Sequence, residues 1–175
     1  YWLNICIYIF PSNAKLMEKR EIKSSYSVYR LDELTDETKK LIEYAQSKLK
    51  DAYAPYSHFR VGAAVLLENG LMLGGSNQEN AAYPLCTCGE RVVLTYAGAE
   101  YPDVEITSLA VAVKNDLKIV LTPASPCGSC RQIIAEYQSK QKAKIKIYLV
   151  AEGDEIYAID SIHDILPLGF DASSL

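Results

Sequence analysis

The sequence predicts an α/β fold, in which helices pack on a largely buried sheet. Residues 61–67 and 109–113 consist almost entirely of small, branched and other apolar side chains, which is typical of strands buried on both faces. Segments that favour helices, residues 35–52, 88–99 and 127–137, alternate with these runs. Buried strands that alternate with helices are typical of an α/β sheet.

The first helix is predicted to begin near Thr35. Asp36 and Glu37 follow it, and acidic side chains favour the N-terminus of a helix. The apolar residues at helical spacing are Leu41, Ile42, Ala45, Leu49 and Ala52. The segment 54–57 contains a proline and ends this packing helix.

A hairpin is predicted after this helix. Residues 61–67 are too apolar for a half-exposed strand, so we expect them to form a central one. Asn69 and Gly70 are a strong signal for a two-residue turn. Residues 71–75 should therefore return as an antiparallel neighbour.

The two later helices are predicted to begin at cysteine motifs. The first turn of residues 88–99 carries Cys88 and Glu90, and another helix begins at Pro126 and Cys127. A helix N-terminus favours thiolate over thiol, which suits metal binding. The remaining elements that we expect are strands at residues 109–113, 145–150 and 156–159 and a short helix at residues 162–166.

Composition limits the function. The 175 residues, 49% of them hydrophobic and 23% charged, fit one domain with a substantial core. The net charge of -4 and the pI near 5.3 give no basic surface for nucleic acid, which favours a small uncharged substrate. The five cysteines lack the spacing of a secreted disulfide framework. They indicate metal binding in a reducing, cytoplasmic setting.

The N-terminal residues differ from the rest. Residues 1–10 carry no charge, but ten residues are too few to span a membrane, and no membrane association is expected. Met17 is followed by charged residues and resembles a native start. We therefore expect residues 1–16, including Cys6, to be a non-native or upstream extension and residues 17–175 to form a single domain.

Three cysteines are candidate zinc ligands. Cys88, Cys127 and Cys130 can bind one tetrahedral ion and leave a fourth position open to water, as in a catalytic zinc site. Glu90 lies two residues after Cys88 and is placed to move the protons of a water at that position. The pattern Cys-x-Glu followed by Pro-Cys-x-x-Cys matches the signature of zinc-dependent nucleobase deaminases.

Spacing alone leaves other interpretations open. A Cys-x-x-Cys pair also occurs in redox sites and zinc ribbons, and Cys86 could complete a closed, structural four-cysteine site. His58 and His163 are interpreted as ordinary histidines. Glu90 by itself would also suit a helix N-terminus, and the polar loop at residues 77–80 could simply be solvated.

Five motifs in order make the chain resemble the small, homotetrameric-type zinc-dependent cytidine deaminases. The motifs are residues 52–57, 59–64, 77–83, 88–91 and 126–132. The resemblance implies a three-layer α/β/α sandwich with a mixed, mostly five-stranded sheet. It also implies one zinc ion per subunit, bound by Cys88, Cys127 and Cys130, with Glu90 as the proton shuttle.

The same resemblance implies the substrate contacts. Asn77 and Glu79 would hold the ribose hydroxyls, Phe59 would line the pocket near the pyrimidine, and the N–H of Gly89 would face the substrate. The residues that would reach a neighbouring subunit's site in a homotetramer are Ala81, Tyr83 and Phe170. A monomer would then have an incomplete pocket.

Three residues next to the ligands complete the implied site. Three thiolates on Zn²⁺ leave a net charge of about -1, which opposes the ionisation of water. Arg91 and Arg131 would offset this charge by donating hydrogen bonds to sulfur. Gln132 ends the motif at residues 126–132 and is also expected to lie beside the zinc ligands.

The predicted activity is hydrolytic deamination of cytidine and deoxycytidine to uridine and deoxyuridine with release of ammonia, as in pyrimidine salvage. The chain departs from the family at Gly89, where alanine is usual, at Val92 and Val93, where threonine and alanine are common, and at Gln78, where a branched aliphatic is usual. These departures leave a blasticidin-type or other modified aminopyrimidine nucleoside deaminase as the alternative. Further hypotheses are a non-catalytic zinc module and a deaminase of RNA or single-stranded DNA, which the acidic charge disfavours.

Overall fold

The computed structural model describes residues 18–141, 143–172 and 175, and the expected extension at residues 1–16 lies outside them. The helices are α1 (Asp36–Ser47), α2 (Gly89–Glu100) and α3 (Gly128–Gln141). The strands are β1 (Ser27–Tyr29), β2 (Phe59–Leu67), β3 (Met72–Ser76), β4 (Ile106–Asn115), β5 (Lys146–Val150) and β6 (Ile156–Ile159). Among the described helices, none has the length and apolar character that crossing a bilayer requires.

The six strands form one mixed sheet in the order β1-β6-β5-β4-β2-β3. β4 and β5 are parallel, and every other neighbouring pair is antiparallel. The mixed sheet is confirmed, but within the described residues it has six strands rather than five, because the sequence analysis missed β1. That strand has three residues, of which Ser27 and Val28 are exposed, so no buried run marks it. It forms through its pairing with β6, where Val28 lies opposite Tyr157.

Helices cover both faces of the sheet, which confirms the three-layer α/β/α sandwich. α1 packs on one face through residues such as Leu41. α2 and α3 pack on the other face through Leu94 and Ile134. The close approach of α1 depends on Gly62, because a Cβ at this position would lie 2.1 Å from the carbonyl oxygen of Ala45.

Both helices that carry the cysteine motifs begin at the same edge of the sheet. β3 and β4 each pair antiparallel with β2, so they run in the same direction. α2 follows β3 and α3 follows β4, so both helices start beyond the carboxyl ends of these strands. Cys88 is the N-cap of α2, and Cys127 directly precedes α3. The topology therefore brings the two motifs together.

Candidate metal centre

The sulfur atoms of Cys88, Cys127 and Cys130 all lie within 4.8 Å of one another. Those of Cys127 and Cys130 are 3.4 Å apart. Cys130 is buried, Cys88 is half-buried and Cys127 is exposed, so the group is closed on one side and open on the other. In the described part of the chain, no other group of three or more histidine, cysteine or acidic side chains could hold a metal ion.

Cys86 and the two histidines lie outside this three-cysteine group. The sulfur of Cys86 accepts a hydrogen bond from the N–H of Asn80, at 3.2 Å, and so belongs to the preceding loop. Within the described residues the closed four-cysteine site is therefore not formed. The arrangement corresponds to three ligands with a free fourth position, which is typical of catalytic zinc.

The chemistry of the three thiols fits a divalent cation. The hydrogen bond with Cys130 lowers the pKa of Cys88 to about 7. The same hydrogen bond, together with burial, raises the pKa of Cys130. The hydrogen bond thus favours the thiolate form of Cys88 and the thiol form of Cys130, because adjacent negative charges in a buried site repel each other. A bound cation favours the ionised form of thiols beside it, and three cysteine thiolates are a ligand set that zinc prefers.

Glu90 lies in the first turn of α2 and is 4% exposed. Its Oε2 atom is buried and has no hydrogen-bond partner among the described residues. Since buried polar atoms are nearly always paired, an unpaired carboxylate oxygen marks a place where a proton or polar ligand is expected. Burial raises the pKa of Glu90, although hydrogen bonds from its own backbone N–H and from Cys130 oppose this effect. Such a carboxyl can take up and release protons.

The two arginines beside the ligands donate to oxygen atoms, mostly of the main chain, rather than to sulfur, which corrects the expected donors to thiolate. Arg91 donates from Nη2 to the carbonyl oxygen of Cys86 at 2.6 Å. Arg131 donates from Nε to Pro126 at 2.8 Å and from Nη1 to Ile165 at 2.7 Å. Carbonyl groups of the connecting loops have no ladder partners, so the guanidinium groups satisfy them. At the sulfurs Arg91 acts through its charge: after the hydrogen bond from Cys130, the charge of Arg91 also lowers the pKa of Cys88.

Asn77 links the loop after β3 to the start of β2. Its Oδ1 accepts from the N–H of Val61 at 2.8 Å, and its Nδ2 donates to the carbonyl oxygen of Phe59 at 2.9 Å. Gly89 lies against the same strand, since a Cβ there would be 3.0 Å from the oxygen of Val61 and 3.5 Å from the nitrogen of Asn77. The metal-binding helix and the expected substrate loop are therefore in contact.

Glu79 is held by the loop that precedes β2. Its Oε2 accepts the N–H groups of Tyr56 at 2.9 Å and of Ser57 at 3.2 Å, and its Oε1 accepts the hydroxyl of Ser57. Burial would raise the pKa of Glu79, but the Ser57 hydroxyl and these N–H groups bring it below its usual value. The side chain is therefore a carboxylate at neutral pH.

Comparison with known proteins agrees with this site. Residues 35–145 match the family model of the cytidine and deoxycytidylate deaminase zinc-binding region. The chain belongs to this deaminase family. The cytidine deaminase of Halalkalibacterium halodurans is 38% identical over 77% of this chain and 95% of its own length. That of Mycoplasma genitalium is 31% identical over 76% of this chain and 95% of its own.

Solved structures of the deaminase family have the same fold. The crystal structure of cytidine deaminase from Burkholderia pseudomallei matches with a TM-score of 0.65 and 34% identity, covering 78% of this chain and all of that one. That of the Mycobacterium tuberculosis enzyme matches with a TM-score of 0.59 and 26% identity, over 78% and 98% of the two chains. Together with the family's zinc-binding region, the three-cysteine group fits one zinc ion per chain.

The residues expected to serve a neighbouring subunit of the deaminase lie on the surface. Ala81 is exposed, and Tyr83 and Phe170 are 69% and 60% exposed. The ring of Tyr83 meets that of Tyr56 edge-on, with centroids 5.9 Å apart. Gln132 donates from Nε2 to the carbonyl oxygen of Phe170 at 2.8 Å, which ties the C-terminal segment to α3.

The sequence analysis assigned no role to Ser57, which the structure places in contact with both Glu79 and Phe59. Besides its contact with Glu79, its Oγ accepts from the N–H of Phe59 at 3.0 Å. A serine two residues before the N–H that it accepts is a recognised local turn signal. That signal was present in the sequence, but the sequence did not predict the contact of Ser57 with Glu79, 22 residues away.

Proposed function

We propose that the chain catalyses the hydrolytic deamination of cytidine and deoxycytidine to uridine and deoxyuridine, with release of ammonia. The observation that carries the proposal is the Oε2 of Glu90, which has no hydrogen-bond partner in the described part of the chain and lies next to the three-cysteine group. A carboxylate beside a metal site suits a reaction in which an attacking water loses protons and a leaving amine gains one. Several relatives and structural neighbours are named cytidine deaminases.

In this proposal Cys88, Cys127 and Cys130 hold the zinc ion. When bound, zinc supplies a Lewis acid that lowers the pKa of the attacking water. The nearby charge of Arg91 favours the ionised form of Cys88, as its effect on the pKa of that thiol indicates. Arg131 fixes the segment before α3 through its bonds to Pro126 and Ile165, and so keeps the last two cysteines in place.

Glu90 is proposed to move both protons of the reaction. It takes one from the water as the oxygen attacks C4 of the pyrimidine, and it delivers this proton to ring N3, where it stays in the product. It then transfers the second proton to the amino group, which leaves as ammonia. Glu90 ends in its starting protonation state, and one water has replaced one amine.

Phe59, Asn77 and Glu79 are proposed to bind the nucleoside. Phe59 would contact the pyrimidine, and the other two would bind hydroxyl groups of the sugar. The hydrogen bonds that join the loops around these residues support a preformed site, which binds with less ordering cost. The N–H of Gly89 would face the base, since Gly89 lies beside Asn77.

We further propose a homotetramer with sites shared between subunits. The exposure of Ala81, Tyr83 and Phe170 supports this, because apolar side chains next to a site are available for a partner chain. A cytoplasmic role in pyrimidine salvage is proposed on the grounds of the reduced cysteines and the nucleoside substrate.

The test is ammonia release from cytidine by the purified protein, before and after removal of zinc with a chelator. We expect release that chelation abolishes and added zinc restores. If the zinc-loaded protein releases no ammonia from cytidine or deoxycytidine, the proposal is wrong. Release from a modified aminopyrimidine nucleoside under the same conditions would then identify the alternative substrate class.

A further inference from the structure

The carboxylate of Glu79 accepts three hydrogen bonds from one short loop. Two come from the N–H groups of Tyr56 and Ser57 and reach Oε2. The third comes from the Ser57 hydroxyl and reaches Oε1. The N–H of Glu79 itself donates to the carbonyl oxygen of Tyr53 at 2.9 Å, so main chain and side chain are held by the same loop.

The Ser57 hydroxyl has only one proton, and its direction is fixed. Its Oγ accepts from the N–H of Phe59 at 3.0 Å, so the proton points away from that contact and toward Glu79. Ser57 therefore connects the residue expected to contact the base with the residue expected to contact the sugar.

The carboxylate of Glu79 keeps acceptor capacity for a ligand. An ionised carboxylate has about four, two on each oxygen. Among the described residues, N–H groups use both positions on Oε2 of Glu79, and Ser57 uses one on Oε1. We propose that Ser57 is a positioning residue that leaves Glu79 a single free acceptor, directed at one hydroxyl of the substrate's sugar. This inference rests on the proposed function, because it takes a nucleoside to be the ligand.

The proposal predicts a coupling between Ser57 and one sugar hydroxyl. Without the Ser57 hydroxyl, Oε1 of Glu79 is no longer fixed, and the hydrogen bond to the substrate weakens. A nucleoside that lacks this hydroxyl has no such bond to lose, so the substitution should leave its affinity unchanged. A merely structural role for Ser57 would instead weaken the binding of every nucleoside by the same factor.

The experiment measures binding, which needs no turnover. Dissociation constants of the product uridine and of its 2′-deoxy and 3′-deoxy forms are measured by calorimetry on the zinc-loaded wild type, Ser57→Ala and Ser57→Thr. One deoxy form should bind the wild type about tenfold more weakly than uridine. Ser57→Ala should bind uridine about tenfold more weakly but that deoxy form equally well, and Ser57→Thr should restore uridine binding. In turnover of cytidine, Ser57→Ala should raise KM about tenfold and change kcat less than about threefold.

Ser139→Ala is the control, since Ser139 is an exposed serine on α3. An equal loss of affinity for all three nucleosides, or no loss in Ser57→Ala, would overturn the inference. A wild type that binds nucleosides but releases no ammonia overturns the proposed reaction alone, and the binding series still decides the role of Ser57. A wild type that binds none of the three overturns the inference as well.

Discussion

Gly89, the first residue of α2, lies so close to Val61 of β2 that a Cβ on it would be 3.0 Å from the carbonyl oxygen of Val61. The contact joins the helix that carries Glu90 to the central strand beside Asn77. Since a Cβ is fixed to the main chain of α2 and the oxygen belongs to the main chain of β2, neither atom can give way without moving its element.

Gly89→Ala should therefore lower activity while leaving the fold intact. Alanine favours a helix by up to about 1 kcal/mol over glycine, which offsets part of the crowding, so the free energy of unfolding should change by less than about 1 kcal/mol. Displacement of α2 should move Glu90 and lower kcat several-fold. Gly128→Ala is the matched control, because Gly128 begins α3 and a Cβ there would meet nothing within 4 Å. Equal activity of the two variants would contradict this account.

Glu90→Gln should keep zinc and lose catalysis. Glutamine has nearly the same shape but cannot carry a proton between the water and the base, so kcat should fall by about 10²–10⁴. Metal content by elemental analysis and ammonia release from cytidine are the measurements. Glu136→Gln, on an exposed position of α3, is the control and should retain full activity. A Glu90→Gln variant with unchanged kcat would remove Glu90 from the mechanism.

The assignment of the ligands predicts different effects for two cysteines that are both near the site. Cys127→Ser should lose most bound zinc, because a hydroxyl is a far weaker zinc ligand than a thiolate. Cys86→Ser should keep one zinc per chain, since the sulfur of Cys86 bonds to Asn80 and lies outside the three-cysteine group. Zinc content after dialysis against a weak chelator distinguishes the two. Loss of zinc from Cys86→Ser would instead support a closed four-cysteine site that includes Cys86.

The parts of this molecule that the sequence predicted are those encoded locally. Residues 61–67 identified β2 because the run is continuously apolar, and the spacing of Cys127 and Cys130 identified two of the three cysteines of the metal group. The features that the sequence did not predict depend on contacts between segments that are distant in the chain. Arg131 was expected to reach sulfur, but it bonds to the oxygen of Ile165, 34 residues further on.

Phe170 should affect substrate affinity more than its exposure in a single chain suggests. If the residue completes a neighbouring subunit's site, Phe170→Ala should raise KM for cytidine with little change in kcat, because it would remove binding rather than proton transfer. Leu168→Ala is the control, since Leu168 is 91% exposed and has no expected contact with substrate. The specific activity of the wild type should also fall on dilution below the dissociation constant of the oligomer. An unchanged KM in Phe170→Ala would argue against shared sites.

Asp116 and Arg60 should contribute stability that disappears in acid. The Nε of Arg60 donates to both carboxylate oxygens of Asp116, at 2.9 and 2.8 Å, and this hydrogen bonding lowers the pKa of Asp116. Because the folded pKa lies below the unfolded value of about 3.9, the contribution is fully present above that pH and is lost as pH falls through the folded pKa. Asp116→Asn should therefore lower Tm at pH 7, and the difference from the wild type should shrink below about pH 4.

Thermal unfolding of both proteins, followed by circular dichroism between pH 3 and 7, measures this difference, with the exposed Asp154→Asn as control. Other carboxyl groups also titrate in this range, but they do so in both proteins, so the difference in Tm isolates the ion pair. A difference that stays constant down to pH 3 would show that Asp116 acts through hydrogen bonds that its protonated form keeps. A difference that grows in acid would show that the pKa of Asp116 is raised rather than lowered. The charge of Arg60 would then not act on this carboxylate.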